Sequence, residues 1–187
     1  VVSGVNSLTT VFLIDSSDSV TPTDRGRAEA FIQDALASKT EDDTSSIVVF
    51  GENALVERAP SPESTLGRLM SDPLATRTDI EEAIQLGLAL FPAESQKRLV
   101  LLSDGGENTG SAQAAARMAA ARDIPIDVVD LGGPGAGAEA LVTGLKAPSH
   151  VRDGQEIELI ASVESNVAQQ ATLRIFADQE VIVDRQV

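Results

Sequence analysis

The feature that most constrains the fold is a regular alternation, over the first 131 residues, of short apolar runs with amphipathic stretches. The apolar runs are rich in β-branched residues, which is typical of strands buried in a sheet. They lie at residues 8–14, 47–50, 99–102 and 126–131. Strands that alternate with helices need crossover connections, and these place helices on both faces of a parallel sheet. The pattern therefore predicts an α/β fold with a doubly wound, mostly parallel sheet.

Three stretches between these runs carry apolar residues at helical spacing. From Ala28 to Leu36 they recur at i, i+3, i+4, i+7 and i+8, which predicts a helix that buries one face. A second helix is predicted from Ile80 and ends before Pro92, because a helix cannot easily continue through proline. The third, residues 111–122, is rich in alanine, the strongest helix former.

Composition narrows the classes of function. The chain has 187 residues, with 29 acidic and 14 basic side chains and a formal net charge of −15. Because such a charge repels phosphates, we expect neither nucleic acid nor an anionic membrane as a partner. No apolar run approaches the about 18 residues of a membrane span, so no direct membrane insertion is expected. With no Cys and one His, the chemistry must use carboxylates and hydroxyls, and a hard cation is a candidate addition.

The sequence pattern changes at Gly132, where a Gly- and Pro-rich stretch begins. We predict a first domain over residues 1–131, a linker over 132–147 and a second segment over 148–187. In the last segment apolar residues alternate with polar ones, which predicts about three antiparallel strands. A β-sandwich needs about seven, so this segment is predicted to be a partial β module.

Oxygen-bearing side chains follow the predicted strands at their carboxyl ends. Asp15, Ser17 and Ser19 follow the first strand at alternate positions, and Asp104 follows the third. Thr78 lies just ahead of the second predicted helix. Because ligands of open parallel sheets bind outside the carboxyl ends of the strands, we expect these five side chains to converge.

Two carboxylates and three hydroxyls form a donor set that suits Mg²⁺. This hard cation takes about six oxygen ligands, keeps several waters and uses few carboxylates. Hydroxyl oxygens add no charge, so the ion would remain able to attract a further carboxylate from outside. The predicted cofactor is Mg²⁺ or Mn²⁺, with Ca²⁺ as a further candidate.

In these residues the sequence resembles the metal-ion-dependent adhesion site (MIDAS) of a von Willebrand factor type A (vWA) domain. The residues that carry the resemblance are Asp15-x-Ser17-x-Ser19, Thr78 ahead of a helix, and Ser103-Asp104-Gly105. The resemblance covers residues 6–131 and implies a Rossmann-like fold, a binding module rather than an enzyme, and a protein partner whose acidic residue completes the metal shell. The metal ligands that it implies are Asp15, Ser17, Ser19, Thr78 and Asp104.

The segment over 148–187 resembles the opening strands of an immunoglobulin-like sandwich, as in bacterial membrane-anchored proteins that combine such modules. This implies an extracellular or cell-surface ectodomain. The first domain departs from the family at two places. Residues 75–77 are Ala-Thr-Arg where the family commonly has glycine before the threonine, and no final strand and helix are recognisable after Leu131.

Two other functions remain open at this stage. Asp15 at a strand end also resembles the nucleophile of haloacid-dehalogenase-type phosphoryl-transfer enzymes, but Ser17 stands where these have a second acid, and Lys97 is predicted to precede its strand. A purely structural spacer is the third possibility. Thr78 also has a local structural interpretation, a capping box with Glu81, unless Asp79 caps the helix instead.

Overall fold

The computed structural model describes residues 7–132, 140–148, 150, 155–165, 168–177 and 180–187. Its contacts divide the chain into two compact units, Val1–Gly133 and Pro134–Val187.

The first unit is built from strands and helices that alternate along the chain. Its strands, in the described residues, are β1 (Leu8–Asp15), β2 (Thr44–Phe50), β3 (Ala54–Ser61), β4 (Gln96–Ser103) and β5 (Ile126–Asp130). Its helices are α1 (Pro22–Ser38), α2 (Ile80–Ala89) and α3 (Ala112–Ala120). No helix in the described part of the chain is both long and apolar enough to cross a bilayer.

The five strands form one sheet in the order β3-β2-β1-β4-β5. β1 is parallel to β2 and β4, β4 is parallel to β5, and β3 runs antiparallel at one edge. The predicted α/β class, with a mostly parallel sheet flanked by helices, is confirmed. Since β1, β2 and β4 are parallel, their carboxyl ends lie at the same edge of the sheet.

The core has two layers, one on each face of the sheet. Along β1, Val11 and Leu13 pack in the cluster that contains residues of α2 and α3, whereas Phe12 and Ile14 pack in the cluster that contains residues of α1. This two-residue alternation buries both faces. A Cβ at Gly87 would lie 3.0 Å from Leu13 Cδ2, so the missing side chain allows α2 to approach the sheet closely.

Two of the predicted helices differ in detail from the observed ones. Phe31 was expected on the buried face of α1, but it is 42% exposed. The third helix was predicted over 111–122. Instead, Ser111 is the N-cap of α3, and the chain turns after Ala120 through Asp123, which has a φ of 55°. The alanine-rich composition did not indicate this turn.

The second unit contains two antiparallel strand pairs in its described residues. β6 (Ala140–Lys146) pairs with β7 (Ile160–Ser165), and β8 (Thr172–Ala177) pairs with β9 (Glu180–Gln186). The C-terminal antiparallel β segment is therefore present. β6 lies within the predicted linker of residues 132–147, because the Gly- and Pro-rich start of that stretch obscured strand-forming residues at its end. Residues 133–139 lie outside the described part.

Candidate metal centre

The ends of β1 and β4 are joined by a buried hydrogen bond between two side chains. Asp15 is the last residue of β1 and Ser103 the last of β4. The Ser103 hydroxyl donates to Asp15 Oδ2 at 2.6 Å and accepts from the Gly105 N–H at 3.0 Å. Asp15 is fully buried and Ser103 is 2% exposed. The Asp15 carboxylate is thus fixed at the centre of the edge where the parallel strands end.

The loop after β1 brings three of the predicted ligands together. The Ser17 N–H donates to Asp15 Oδ1 at 2.9 Å. The hydroxyls of Ser17 and Ser19 lie 3.0 Å apart and share a hydrogen bond. Ser17 is buried, whereas Ser19 is exposed. A turn in which the Val20 N–H donates to the Ser17 carbonyl at 3.1 Å therefore brings one carboxylate and two hydroxyls into one cluster.

Burial raises the pKa of Asp15 above its ordinary value of 3.8, and the negative charge of Asp104 raises it further. Hydrogen bonds from Ser103 and Ser17 oppose this rise. Asp104 itself follows β4 and accepts a hydrogen bond from the Gly106 N–H at 2.9 Å. Because the two carboxylates repel each other, a cation bound near them would stabilise their ionised forms.

Thr78 is held by the loop that follows β4. Its N–H donates to Asn108 Oδ1 at 2.9 Å, and its carbonyl accepts from the N–H groups of Asn108 and Thr109 at 3.2 and 3.3 Å. Thr78 is 2% exposed, and its hydroxyl forms no hydrogen bond with any residue that the structure describes. The same β4 loop therefore carries Asp104 and positions Thr78, although no hydrogen bond in the described residues joins the Thr78 side chain to Asp15.

The cap of α2 explains why the Thr78 hydroxyl remains available. Asp79 is the N-cap, and its Oδ1 accepts from the Glu82 N–H at 2.8 Å. Glu81 accepts from the Ser111 N–H at 2.8 Å rather than completing a capping box with Thr78. Of the two local interpretations left open by the sequence, the cap by Asp79 is therefore the one observed.

Backbone hydrogen bonds tie the surrounding loops together. The Asp79 N–H donates to the Gly51 carbonyl at 2.8 Å, and the Asp18 N–H donates to the Ala75 carbonyl at 2.8 Å. The segment that departs from the family pattern therefore serves as a support for the loop after β1. Arg77, which precedes Thr78, is exposed.

Sequence reasoning missed two residues that support this centre. Asn108 was assigned to ordinary loop structure, yet it forms the paired hydrogen bonds with Thr78 described above. Arg25 was not considered, although its guanidinium contacts the loop after β1. Neither residue carries a sequence signal of its own, because each acts on backbone groups distant in sequence.

The donor set is compatible with a hard divalent cation. In the described residues, no three side chains of His, Cys, Asp or Glu lie together as a metal-binding group. The donors at this edge of the sheet are therefore hydroxyls and two carboxylates. The buried Asp15 carboxylate beside Asp104, together with the free Thr78 hydroxyl, suits Mg²⁺ and chemically similar ions.

The sequence profile of the von Willebrand factor type A domain matches residues 10–107. The chain belongs to this family. Its members are often metal-dependent adhesion or protein-interaction modules. No curated protein sequence gives a significant match.

Solved structures of low sequence identity share the fold. An aerotolerance-related membrane protein from Bacteroides fragilis NCTC 9343 is 22% identical, with a TM-score of 0.56 over 83% of this chain and 81% of that chain. The conserved hypothetical protein BatB from Bacteroides thetaiotaomicron is 21% identical, with a TM-score of 0.59 over 83% and 80%. Proximal thread matrix protein 1 from the mussel byssus, with a zinc-occupied MIDAS motif, is 14% identical, with a TM-score of 0.52 over 66% and 38%.

Proposed function

We propose that this vWA domain is a divalent-metal-dependent protein-binding module. A Mg²⁺ ion is coordinated by the five side chains predicted from the sequence, some of them through water, and an acidic residue of a protein partner completes its shell. The proposed ligands are Asp15, Ser17, Ser19, Thr78 and Asp104. The observation that carries the proposal is the buried Asp15 carboxylate, which lies at the carboxyl edge of the sheet beside Asp104 and the Ser17–Ser19 hydroxyl pair.

The charge of this donor set favours an anionic partner. Two carboxylates neutralise a divalent cation without making the site negative, and the three hydroxyls contribute oxygens but no charge. An incoming carboxylate is therefore attracted at short range by the ion, although the whole chain has a net charge of −15. The surrounding negative field is expected to slow the association of acidic partners.

The solved relatives support two further parts of the proposal. The byssal protein contains a zinc-occupied MIDAS motif, which supports metal binding by this fold. The Bacteroides aerotolerance-related protein is a membrane protein, which supports the assignment of this chain to the extracellular or cell-surface ectodomain of a membrane-anchored bacterial protein. The strand pairs after residue 139 are proposed to belong to an immunoglobulin-like module.

The position of Lys97 argues against a phosphoryl-transfer enzyme. The prediction that Lys97 precedes its strand is wrong: Lys97 lies within β4, where it pairs with Thr9 at the start of β1. It is therefore at the opposite end of the strands from Asp15. Ser17 occupies the place of the second acid. We therefore propose that the domain has no phosphatase activity. Turnover of small phosphate esters with Mg²⁺ that is lost in Asp15→Asn would support the enzyme instead.

Calorimetric titration with MgCl₂, MnCl₂ and CaCl₂ tests the metal centre, since the chain has no Trp or Tyr to report binding by fluorescence. We expect one saturable site for Mg²⁺ or Mn²⁺ in the wild type and at least a roughly tenfold weaker affinity in Asp15→Ala/Ser17→Ala. Asp42→Ala, which removes an exposed acid from a distant turn, is the control and should bind normally. Equal affinity of the double variant and the wild type would refute the metal assignment.

The carboxylate partner is tested on the Mn²⁺-loaded domain with N-acetylglutamate as the probe. We expect it to displace inner-sphere water, measured as a fall in the water-proton relaxation rate, whereas N-acetylglutamine should have little effect. An identical response to both compounds would show that the ion does not select a carboxylate. A metal-loaded domain that responds to neither would favour the structural spacer.

A further inference from the structure

We propose that Arg25 is the positioning residue of the metal centre, and this inference rests on the proposed function. Its Nη2 donates to the carbonyl oxygens of Ser16 and Ser17 at 3.0 and 3.1 Å. These two peptide groups lie between Asp15 and Ser19, so one guanidinium nitrogen restrains the backbone that carries the first three proposed ligands.

Arg25 makes these hydrogen bonds from α1, a helix that is packed in the core. It lies in the first turn of α1, where its N–H donates to the Thr21 carbonyl at 2.9 Å. The helix is anchored in the core by Ala28, about one turn after Arg25, and by Ile32, about two turns after it; both are fully buried. A restraint that starts from a packed helix limits the loop more than contacts within the loop can.

The carbonyl contacts determine the orientation of the side chains in the loop. The Ser16 carbonyl and the Ser17 N–H belong to one planar peptide group, so the contact of Arg25 with that carbonyl fixes the direction in which the Ser17 N–H donates to Asp15 Oδ1. The Ser17 carbonyl, which Arg25 shares with the Val20 N–H, follows the residue whose hydroxyl shares a hydrogen bond with Ser19. We infer that the loop is held in its ligand-binding arrangement before an ion arrives. Such supporting contacts typically change metal affinity by about 10- to 100-fold.

Among the described residues, the hydrogen-bond partners of the Arg25 guanidinium are carbonyl oxygens and not carboxylates. In the part of the chain that the structure describes, no carboxylate lies within ion-pair distance of Arg25, and its Nε is buried without a hydrogen bond. The guanidinium thus contacts the backbone beside Asp15 without occupying the oxygens of its carboxylate. Those oxygens stay available for a cation, whereas a direct Arg–Asp ion pair would compete with it.

The same helix offers a matched control. Arg27 lies two residues further along, and its Nη1 contacts Asp24 Oδ1 at 3.1 Å and the Leu131 carbonyl at 3.2 Å. It therefore also ties α1 to a distant backbone carbonyl, but it does not contact the loop after β1. Arg25→Met and Arg27→Met remove the same charge and keep similar apolar stems.

The test combines metal affinity with amide hydrogen exchange on the full chain. By titration with MnCl₂, Arg25→Met should bind about 10- to 100-fold more weakly than the wild type, Arg25→Lys should recover part of the loss, and Arg27→Met should stay within about twofold. In the metal-free protein, the Ser17 amide should exchange faster in Arg25→Met than in Arg27→Met. Thermal unfolding of each variant separates these effects from a general loss of stability.

The outcomes distinguish this inference from the proposed function. If the wild type binds Mn²⁺ but Arg25→Met binds equally well, or Arg27→Met loses as much affinity, the role of Arg25 is refuted while the metal centre stands. If the wild type binds no metal, the proposed function fails, and unchanged Ser17 exchange would then also refute the restraint on the loop. If Arg25→Met does not fold, the weaker affinity and faster Ser17 exchange expected of Arg25→Lys decide the matter.

Discussion

The Asp15 carboxylate occupies a buried position that lowers the stability of its ionised form. It is fully buried, accepts hydrogen bonds from Ser17 and Ser103, and still has a raised pKa because burial and Asp104 outweigh those bonds. A folded-state pKa above the unfolded value means that the ionised form costs stability at neutral pH. In the proposed complex, the cation would offset that cost.

The first prediction concerns metal-free Asp15→Asn. Because the substitution removes a buried charge but keeps an oxygen for the Ser17 N–H, we expect the metal-free variant to be at least as stable as the wild type. The expected gain is about 1 kcal/mol, or about 2–4 °C in a chain of this size. Thermal unfolding with and without MgCl₂ measures it, and the increase on adding MgCl₂ should be confined to the wild type. A metal-free variant that melts several degrees lower would show that Asp15 serves stability instead.

Asp43 shows the opposite behaviour at the other end of β1. Hydrogen bonds from the Leu8 N–H at 2.8 Å and from the Thr40 N–H and hydroxyl at 3.0 and 2.8 Å hold the pKa of Asp43 below its ordinary value of 3.8. A lowered folded-state pKa contributes stability above pH 3.8, and this contribution is lost as the pH falls through the folded-state pKa.

We therefore predict that Asp43→Asn lowers stability at neutral pH by about 1 kcal/mol or less, because solvent screens this partly exposed group. The difference from the wild type should shrink as the pH falls below about 4. Urea unfolding of both proteins at pH 7 and pH 3 measures it. A difference of equal size at both values would mean that the effect is steric rather than electrostatic.

At the residue scale, the sequence predicted those side chains that follow strands at regular spacing. The alternation of Asp15, Ser17 and Ser19 predicted their clustering from an extended loop, whereas the observed cluster is formed by a turn in which the Val20 N–H donates to the Ser17 carbonyl at 3.1 Å. Arg25 and Asn108 could not be found in this way. Their partners are backbone groups, which every residue has, and only the folded chain shows which carbonyl or N–H each one reaches.

At the scale of elements, the loops at the carboxyl edge depend on a close approach at Gly51. A Cβ at this position would clash with the carbonyl of Leu74, whose oxygen accepts the Glu52 N–H at 2.7 Å. Gly51 in turn accepts the Asp79 N–H. Gly51 is thus packed directly against the backbone of residues 74–75, and the Ala75 carbonyl accepts a hydrogen bond from the loop after β1.

We predict that Gly51→Ala lowers the unfolding free energy by about 1–3 kcal/mol and weakens metal binding, because the loop must shift to admit a methyl group. Gly26→Ala is the control. It lies in α1 with no atom within 4 Å of the added Cβ, so it should raise stability by about 0.5–1 kcal/mol. Chemical denaturation and metal titration of both variants measure these changes. Wild-type affinity in Gly51→Ala would show that the centre tolerates displacement of this segment.

The sequence predicted elements best where periodicity and burial coincide. In α2, Ile80, Ala83 and Ile84 are buried as expected, because one helical face meets the sheet. Prediction was poorer where backbone geometry decided the outcome, as at Asp123 after α3, or where neighbouring glycines masked a strand, as in β6. Local composition contains little information on such positions.

At the scale of the whole molecule, each of the two units has strand pairs of its own among the described residues. The five-stranded sheet lies entirely within residues 8–130, and the described strands after residue 139 pair only among themselves. Both core clusters are built from residues of the first unit. The proposed metal centre therefore depends on structure that is complete within that unit.

We predict that a fragment of residues 1–133 folds and binds Mn²⁺ with the affinity of the full chain. Its unfolding midpoint should lie within about 3 °C of the corresponding transition of the whole protein, since about 1 kcal/mol shifts the midpoint by only a few degrees. Circular dichroism during heating and calorimetric titration of the fragment measure this. A midpoint lower by 10 °C or more, on the same scale, would show that the second unit stabilises the first.

The short strand β5 has a consequence for how copies of the molecule meet in solution. It forms the outer edge of the sheet, so one side of its backbone has no strand partner in the described residues. Val128 at its centre is 66% exposed, which would invite a second copy to add a strand. Asp127 and Asp130 place two negative charges within its five residues, and an identical edge would bring the same charges against them. Because Asp127 already pairs with Arg98 at 3.4 Å, we expect the repulsion that opposes strand pairing between two such edges to come mainly from Asp130.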